Sequence, residues 1–284
     1  MVKKPKFMFM HVKATNLFKF NIMSSIEKHL KIAFKAYKRN IITILFSVFF
    51  SIVIFICFLF FSIFLILSGI QNVQDQQLVQ PDLTLNKVQS LFLLDLGNIF
   101  FVILILGFSI VIVLSCGLFG VCYYSVNKKV SISVFFRTIR ERIIPYFFAT
   151  SLILSIYFLI FLFFLFLSIF VLKISLLFSL FILITLLFVS PFLLFYAPAI
   201  ISGSGAIDSI RKSFSIGEKH YFNLIILILI FFLLSFIELI PIVGFIVEYF
   251  LLLPLLQITI SSFYIEKTKK LGKITKSKRS KKKK

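Results

Sequence analysis

Tryptophan is absent from these 284 residues, acidic residues number ten, and charged residues of every kind make up 14%. An ordinary soluble domain carries roughly 25% charged residues, so there are too few polar groups to cover a water-facing surface. Disorder is excluded from the other direction: 60% of the chain is hydrophobic and 41 residues are Phe, which a solvated, unfolded segment does not tolerate. Cysteine is scarce, and Cys57, Cys116 and Cys122 all lie in apolar runs. An odd number there argues against a disulfide framework and for small apolar residues in helix packing. His11, His29 and His220 are scattered over basic segments with no cysteine or carboxylate at ligand spacing, so they read as surface histidines and neither metal nor cofactor is expected. A cleaved signal peptide is not expected either. The first 40 residues carry ten Lys/Arg and no apolar core followed by a cleavage site.

What is present is long uncharged sequence. A spanning helix needs ~20 apolar residues, and six stretches qualify: 41–69, 97–126, 143–172, 174–201, 221–239 and 241–265. The third and fourth are separated only by Lys173. As one helix they would reach about 88 Å at ~1.5 Å per residue, so a tight turn is expected at Lys173. Pro241 suits the first turn of the sixth. The expected fold class is therefore all-α: a polytopic membrane bundle of six transmembrane helices over residues 41–265, between a basic segment 1–40 and a basic tail 266–284.

Charge gives the orientation. The net charge is +21, and 29 of the 31 Lys/Arg lie in 1–40, 127–142, 202–220 and 266–284. Lys87 and Lys173 fall on the other side, with Asp75, Asp82, Asp95 and Glu238. The positive-inside rule puts both termini in the cytoplasm of a cell-membrane protein. The tail, with eleven cations, is a topology determinant that anionic headgroups would attract by about 1 kcal/mol per charge. No specific nucleic acid is expected.

Three cytoplasmic segments have the period of amphipathic interfacial helices. The first opens on Ser24-x-x-Glu27, a capping-box pattern, and lines up Ile26, Leu30, Ala33 and Tyr37 against Lys28, Lys31, Lys35 and Lys38. The second has Phe136, Ile139 and Ile143, and the third Ile207, Ile210 and Phe214. Thr138-Ile139-Arg140 aligns with Ser209-Ile210-Arg211, and each unit runs into a Tyr-Phe pair, Tyr146-Phe147 and Tyr221-Phe222. This reads as a repeat of basic helix plus membrane hairpin, with the first copy matching in outline.

The stretch from Phe195-Tyr-Ala-Pro198 through Ser202-Gly-Ser-Gly205 to Ala206-Ile-Asp-Ser-Ile-Arg-Lys-Ser-Phe214, continued by Pro241-Ile-Val-Gly244 and Phe263-Tyr264, carries a resemblance. Residues 130–265 resemble the integral membrane domain found beside the catalytic domain of some bacterial glycerophosphoryl diester phosphodiesterases, and its stand-alone six-span relatives. The loop after Pro198 departs from that pattern, with Ser202 and Ser204 where an acidic residue is usual. Only 19 residues follow Ile265, so no phosphodiesterase domain is expected after it. The resemblance implies a fold and a membrane location and brings no catalytic residues.

Chemistry is sparse. The span interiors contain no His and no Asp, so no nucleophile–base pair is assembled there, and no enzyme activity is expected. Glu248 and Gln257 are the intramembrane polar candidates, Glu248 because ionisable residues inside a membrane are functional candidates by default. Pro191, Pro198 and Pro254 interrupt the fourth and sixth spans, as at transport sites or packing kinks. The Ser202–Gly205 loop feeds the third basic helix, where free N–H groups with Arg211 and Lys212 could hold a lipid phosphate. The plainer reading is a capped turn with Ser204 as N-cap and Asp208 in the first turn.

The expected function is non-enzymatic engagement of anionic lipid headgroups by Arg137, Arg140, Arg142, Arg211 and Lys212, as a membrane scaffold or modulator. Membrane lipid is the expected partner, alongside a second copy of the chain or another membrane protein. A transporter or channel for a small or amphipathic solute is the alternative. A membrane insertase is weaker still, since such a protein would be expected to carry an Arg within the membrane and every Arg here is cytoplasmic.

Overall fold

The computed structural model describes residues 7–79, 85–167, 185 and 188–281, with side chains over 24–68, 70–71, 97–163, 185 and 188–269. Regular structure among the described residues is wholly helical: α1 Phe7–Val79, α2 Leu85–Ser125, α3 Ser133–Leu167, α4 Tyr196–Ile201, α5 Ala206–Ser235, α6 Val243–Val247 and α7 Leu253–Lys281. A 3-10 turn (Phe236–Leu239) follows α5, and a π-turn (Glu248–Leu252) joins α6 to α7.

Five stretches are long and apolar enough to cross a membrane: Ser24–Ser68, Gly97–Ser125, Ser133–Phe163, Ala206–Leu239 and Val243–Lys269. A shorter apolar helix spans Phe188–Ile201. The expected turn at Lys173 and most of the fourth span lie outside the described residues. Among the described residues, buried apolar side chains are confined to 26–48, 112–153, 191–231 and 252–265. Beyond them the surface is bare hydrocarbon, with Phe60, Phe64, Phe100, Phe101, Leu159 and Leu233 each more than 60% exposed. An apolar surface of that extent is a liability in water and the normal exterior of a protein in lipid. The chain is a multi-pass helical membrane protein.

The core is built around α7, whose residues 257–265 are all buried. Hydrocarbon gives helices little reason to prefer one another over lipid, so close packing and polar contacts must hold them. Glycines provide the approach. A Cβ on Gly117 would stand 2.6 Å from the Phe135 ring, and one on Gly217 would stand 2.7 Å from the Pro191 carbonyl. Ser209, Ser213 and Gly217, one turn apart, form the buried stripe of α5, which lies against the broken helix at 188–195. The break leaves the Phe192 carbonyl and the Phe195 N–H without helical partners. Ser213 serves both, donating to Phe192 O at 2.7 Å and accepting from Phe195 N at 2.9 Å.

The three basic segments that precede spans join them at an interruption or a proline. The backbone leaves helical values at Asn40 (φ −118°, ψ 19°) and at His220 (φ −126°, ψ 20°), and Pro145 occupies the corresponding junction in α3. The aligned pair Thr138 and Ser209 is buried in both copies, and Arg140 and Arg211 are exposed in both. At the first junction Asn40 donates to its own Ala36 carbonyl at 3.0 Å and to Lys128 O at 3.3 Å, and accepts from Val130 N at 2.8 Å. Arg39 donates to Ser125 O and Val126 O. The open C-terminus of α2 is thus capped by side chains of α1.

Four local expectations change. Ser24 caps nothing, because α1 already runs from Phe7 and no Pro or Gly between them stops it. The stripe Ile26, Ala33 and Tyr37 is buried within the protein, on a segment held to α7 and the π-turn before it by Lys28–Glu266, His29–Ser262 and Tyr37–Phe250 contacts. His29 is no surface histidine: it is 1% exposed, with Nδ1 2.9 Å from Ser262 Oγ. Pro241 sits in the turn before α6, not in its first turn. There Val243 N donates to Pro241 O at 2.7 Å across Ile242 at φ 65°, a tight γ-turn that costs a β-branched residue backbone strain. Gly244 follows, and a Cβ there would stand 2.5 Å from Glu238 Cα.

Gly217→Ala should lower the thermal midpoint in detergent, since overpacking against backbone costs about 1–3 kcal/mol. Gly97→Ala, with open space around it, should leave the midpoint unchanged or slightly raised. Asn40→Ala should also lower it, by an amount matching the ~1–3 kcal/mol cost of stranding buried polar groups. A midpoint equal to that of the unmodified protein would remove Asn40 from the account of the junction.

Candidate anion site and buried carboxylate

The α4–α5 loop is built by two helix ends meeting. Helix α4 closes with Ser204 N donating to Ala199 O at 3.1 Å and Gly203 N to Ile200 O at 2.9 Å. That double bond pattern needs a left-handed residue at its corner, and Gly203 supplies it at φ 112°. Ser202 Oγ donates to Ala199 O at 2.7 Å. Its one proton is then committed, so the Tyr264 hydroxyl, 3.1 Å away, is the donor between those two.

The expected N-cap moves by one residue. Gly205 caps α5 with no side-chain hydrogen bond, and the Ser204 hydroxyl instead accepts from Lys212 Nζ at 2.7 Å. The first N–H groups of α5 are therefore left without a side-chain acceptor, at the positive end of the helix dipole. Asp208 lies in the same first turn and offsets part of that field. Arg142 arrives from α3: its Nη2 lies 3.6 Å from where a Cβ on Gly203 would stand. Its Nε is shielded from solvent and has no hydrogen-bond partner.

The five cations expected to bind headgroups do not all gather. Arg142 and Lys212 meet at the loop, with Arg211 beside Lys212 on α5 and exposed. Arg140 is exposed on α3. Arg137 turns to the α2–α3 corner, where its guanidinium lies over the Tyr124 ring at 5.8 Å, alongside Lys128 at 5.6 Å. The apolar residues that alternate with these cations face outward: Phe136 is 48%, Ile207 70% and Phe214 44% exposed.

The intramembrane candidates part company. Gln257 is buried on α7, and its Oε1 has no partner; Ser261, one turn on, is in the same state. Tyr264 lies on that face as well. Glu248 begins the π-turn, and its Oε2 is shielded from solvent without a hydrogen-bond partner. It borders a cleft of about 280 Å³ between the helix at 188–194, α5 and α7. No group of three His, Cys, Asp or Glu positioned to hold a metal occurs among the described residues.

Several structural residues left no sequence signal. Pro254 has no N–H for the carbonyl four residues back, and Tyr37 replaces it, donating to Phe250 O at 2.7 Å. The proline is legible in the sequence; the tyrosine 213 positions away is not.

No known protein family, no curated protein and no solved structure matches the chain. At the α4–α5 loop the arrangement is two cations, Arg142 and Lys212, beside an α5 N-terminus without a side-chain cap.

Proposed function

We propose that this is a six-span, non-enzymatic protein of the cell membrane whose cytoplasmic basic helices bind anionic lipid headgroups, as a scaffold or modulator of the bilayer. One observation carries the reading. Arg142 and Lys212, from two different basic helices, converge on an α5 N-terminus that no side chain caps, and Arg142 Nε is buried there without a partner. A phosphate diester would accept from the guanidinium, from the ammonium protons that Ser204 does not take and from the helix N–H groups together.

The outward Phe136, Ile207 and Phe214 suit the boundary between headgroups and acyl chains, with Arg140 and Arg211 reaching toward phosphate beside them. The Lys28–Glu266 ion pair at 2.5 Å supports a common side for both termini, and an even number of spans. Charge bias makes that side the cytoplasm. The resemblance of residues 130–265 to the phosphodiesterase membrane domain is in keeping with a membrane role without catalysis.

The test is native mass spectrometry of protein purified in mild detergent with added phosphatidylglycerol. Each cation near a headgroup is worth about 1 kcal/mol, so the Arg142→Gln/Lys212→Gln double variant should bind the lipid about thirtyfold more weakly at low salt. Arg137→Gln, whose guanidinium is held on Tyr124, should retain it. Equal lipid occupancy in the double variant would defeat the proposal.

A further inference from the structure

The second unsatisfied group lies far along the chain from the loop and stands whether or not the anion reading holds. Glu248 opens a π-turn, a widened turn that recurs at ligand-contacting positions in helices. Its carboxylate borders a cleft whose walls are apolar, among them Leu194, Phe231 and Leu252, with hydroxyls from Ser190 and Ser235. The lysines and arginines whose side chains are described lie within 28–39, 128–142, 211–219 and 267–269, and none of them borders this cleft. The other acid on this part of the bundle is Glu238, in the 3-10 turn after α5.

A carboxylate oxygen held out of solvent with no donor, as Glu248 Oε2 is, is costly unless something neutral or positive meets it. A hard metal ion does not fit: it would want about six oxygen ligands, and the cleft offers one carboxylate and two hydroxyls among hydrocarbon. An ammonium on an alkyl chain fits each part. Ser235 spends its proton on Phe232 O at 2.8 Å, which leaves its oxygen as an acceptor beside the carboxylate. The chain would lie on Leu194, Phe231 and Leu252. The last turn of α5 adds carbonyl ends, which favour a cation.

We infer that the cleft between the helix at 188–194, α5 and α7 binds the head of an amphiphilic primary amine, with Glu248 as its counter-ion. The size agrees: about 280 Å³ holds an ammonium and the first several methylenes, and the remainder of the chain would continue into lipid.

The experiment uses the full-length protein in phosphatidylcholine nanodiscs, so that no anionic lipid adsorbs the probe. Radiolabelled dodecylamine is titrated at pH 7, with dodecanol and dodecanoate as chain-matched probes and empty discs as background. The expected result is saturable binding of one dodecylamine per protein, at least tenfold tighter than dodecanol, with dodecanoate weaker still. Glu248→Gln should reduce dodecylamine to the dodecanol level. Leu252→Trp, which fills the cleft and keeps the carboxylate, should abolish saturable binding of both. Three results would overturn the inference: dodecanol binding as tightly as dodecylamine to the unmodified protein, an amine preference that survives Glu248→Gln, or no saturable binding of any probe. The first of these comparisons needs no variant and holds even if a substitution prevents folding.

Discussion

A backbone carbonyl or N–H that loses its helical partner inside hydrocarbon has no water to turn to, and three helix breaks or ends here are closed by polar side chains reaching over from another helix. Tyr37 serves the carbonyl freed by Pro254, Ser213 serves both orphans at the 192–195 break, and Arg39 with Asn40 serves the end of α2. These contacts do more than relieve a penalty. They fix which helix lies beside which, because a spanning bundle gains little from apolar burial alone. They also explain why the packed region coincides with the breaks while uninterrupted helix, such as the Phe-rich 49–68 stretch, faces outward with few buried residues.

Against that background the groups left unserved acquire meaning. Arg142 Nε and Glu248 Oε2 are both shielded and both unpartnered, in a molecule that otherwise mends its breaks with side chains drawn from far along the chain. Each stands at an irregularity, the first beside a left-handed glycine between two helices and the second at a π-turn. Gln257 Oε1 and Ser261 Oγ are unpartnered as well, yet they lie on a regular, wholly buried stretch of α7, whereas Glu248 borders a cleft.

The sequence disclosed most of the scaffold, because hydropathy and charge bias act over whole segments. The all-helical class and the existence of several long apolar helices were readable from windows of about twenty residues. Pairings were not. His29 reads as a surface residue because its neighbours are lysines, and only Ser262, more than 230 positions away, makes its burial tolerable. Ser204 reads as an N-cap because the motif is local, and Lys212 takes its hydroxyl from two turns on. The apolar stripe of residues 26–37 was correct as a stripe and wrong as to its cover, since periodicity tells that a face will be buried and says nothing about whether lipid or α7 buries it. Of the two candidate sites, the sequence supplied Glu248 and Lys212 by name; the cleft beside one and the Arg142 contact beside the other required the fold.

Helix α5 links those two places, and its direction has an electrostatic consequence. Its first turn is the uncapped end at the Arg142–Lys212 loop, and its last turn contributes Ser235 to the Glu248 cleft. A helix carries roughly +0.5 charge at its N-terminus and −0.5 at its C-terminus, effective within the terminal turns, so the break at His220 does not cancel either end. The same helix therefore favours an anion at one end and a cation at the other. The side chains agree with it at both: cations gather at the N-terminal loop, and acids, Glu248 and Glu238, at the far end. Asp208, the acid in the first turn of α5, offsets part of the field at that end, so the contrast between the two ends rests on Arg142 and Lys212 against Glu248 and Glu238.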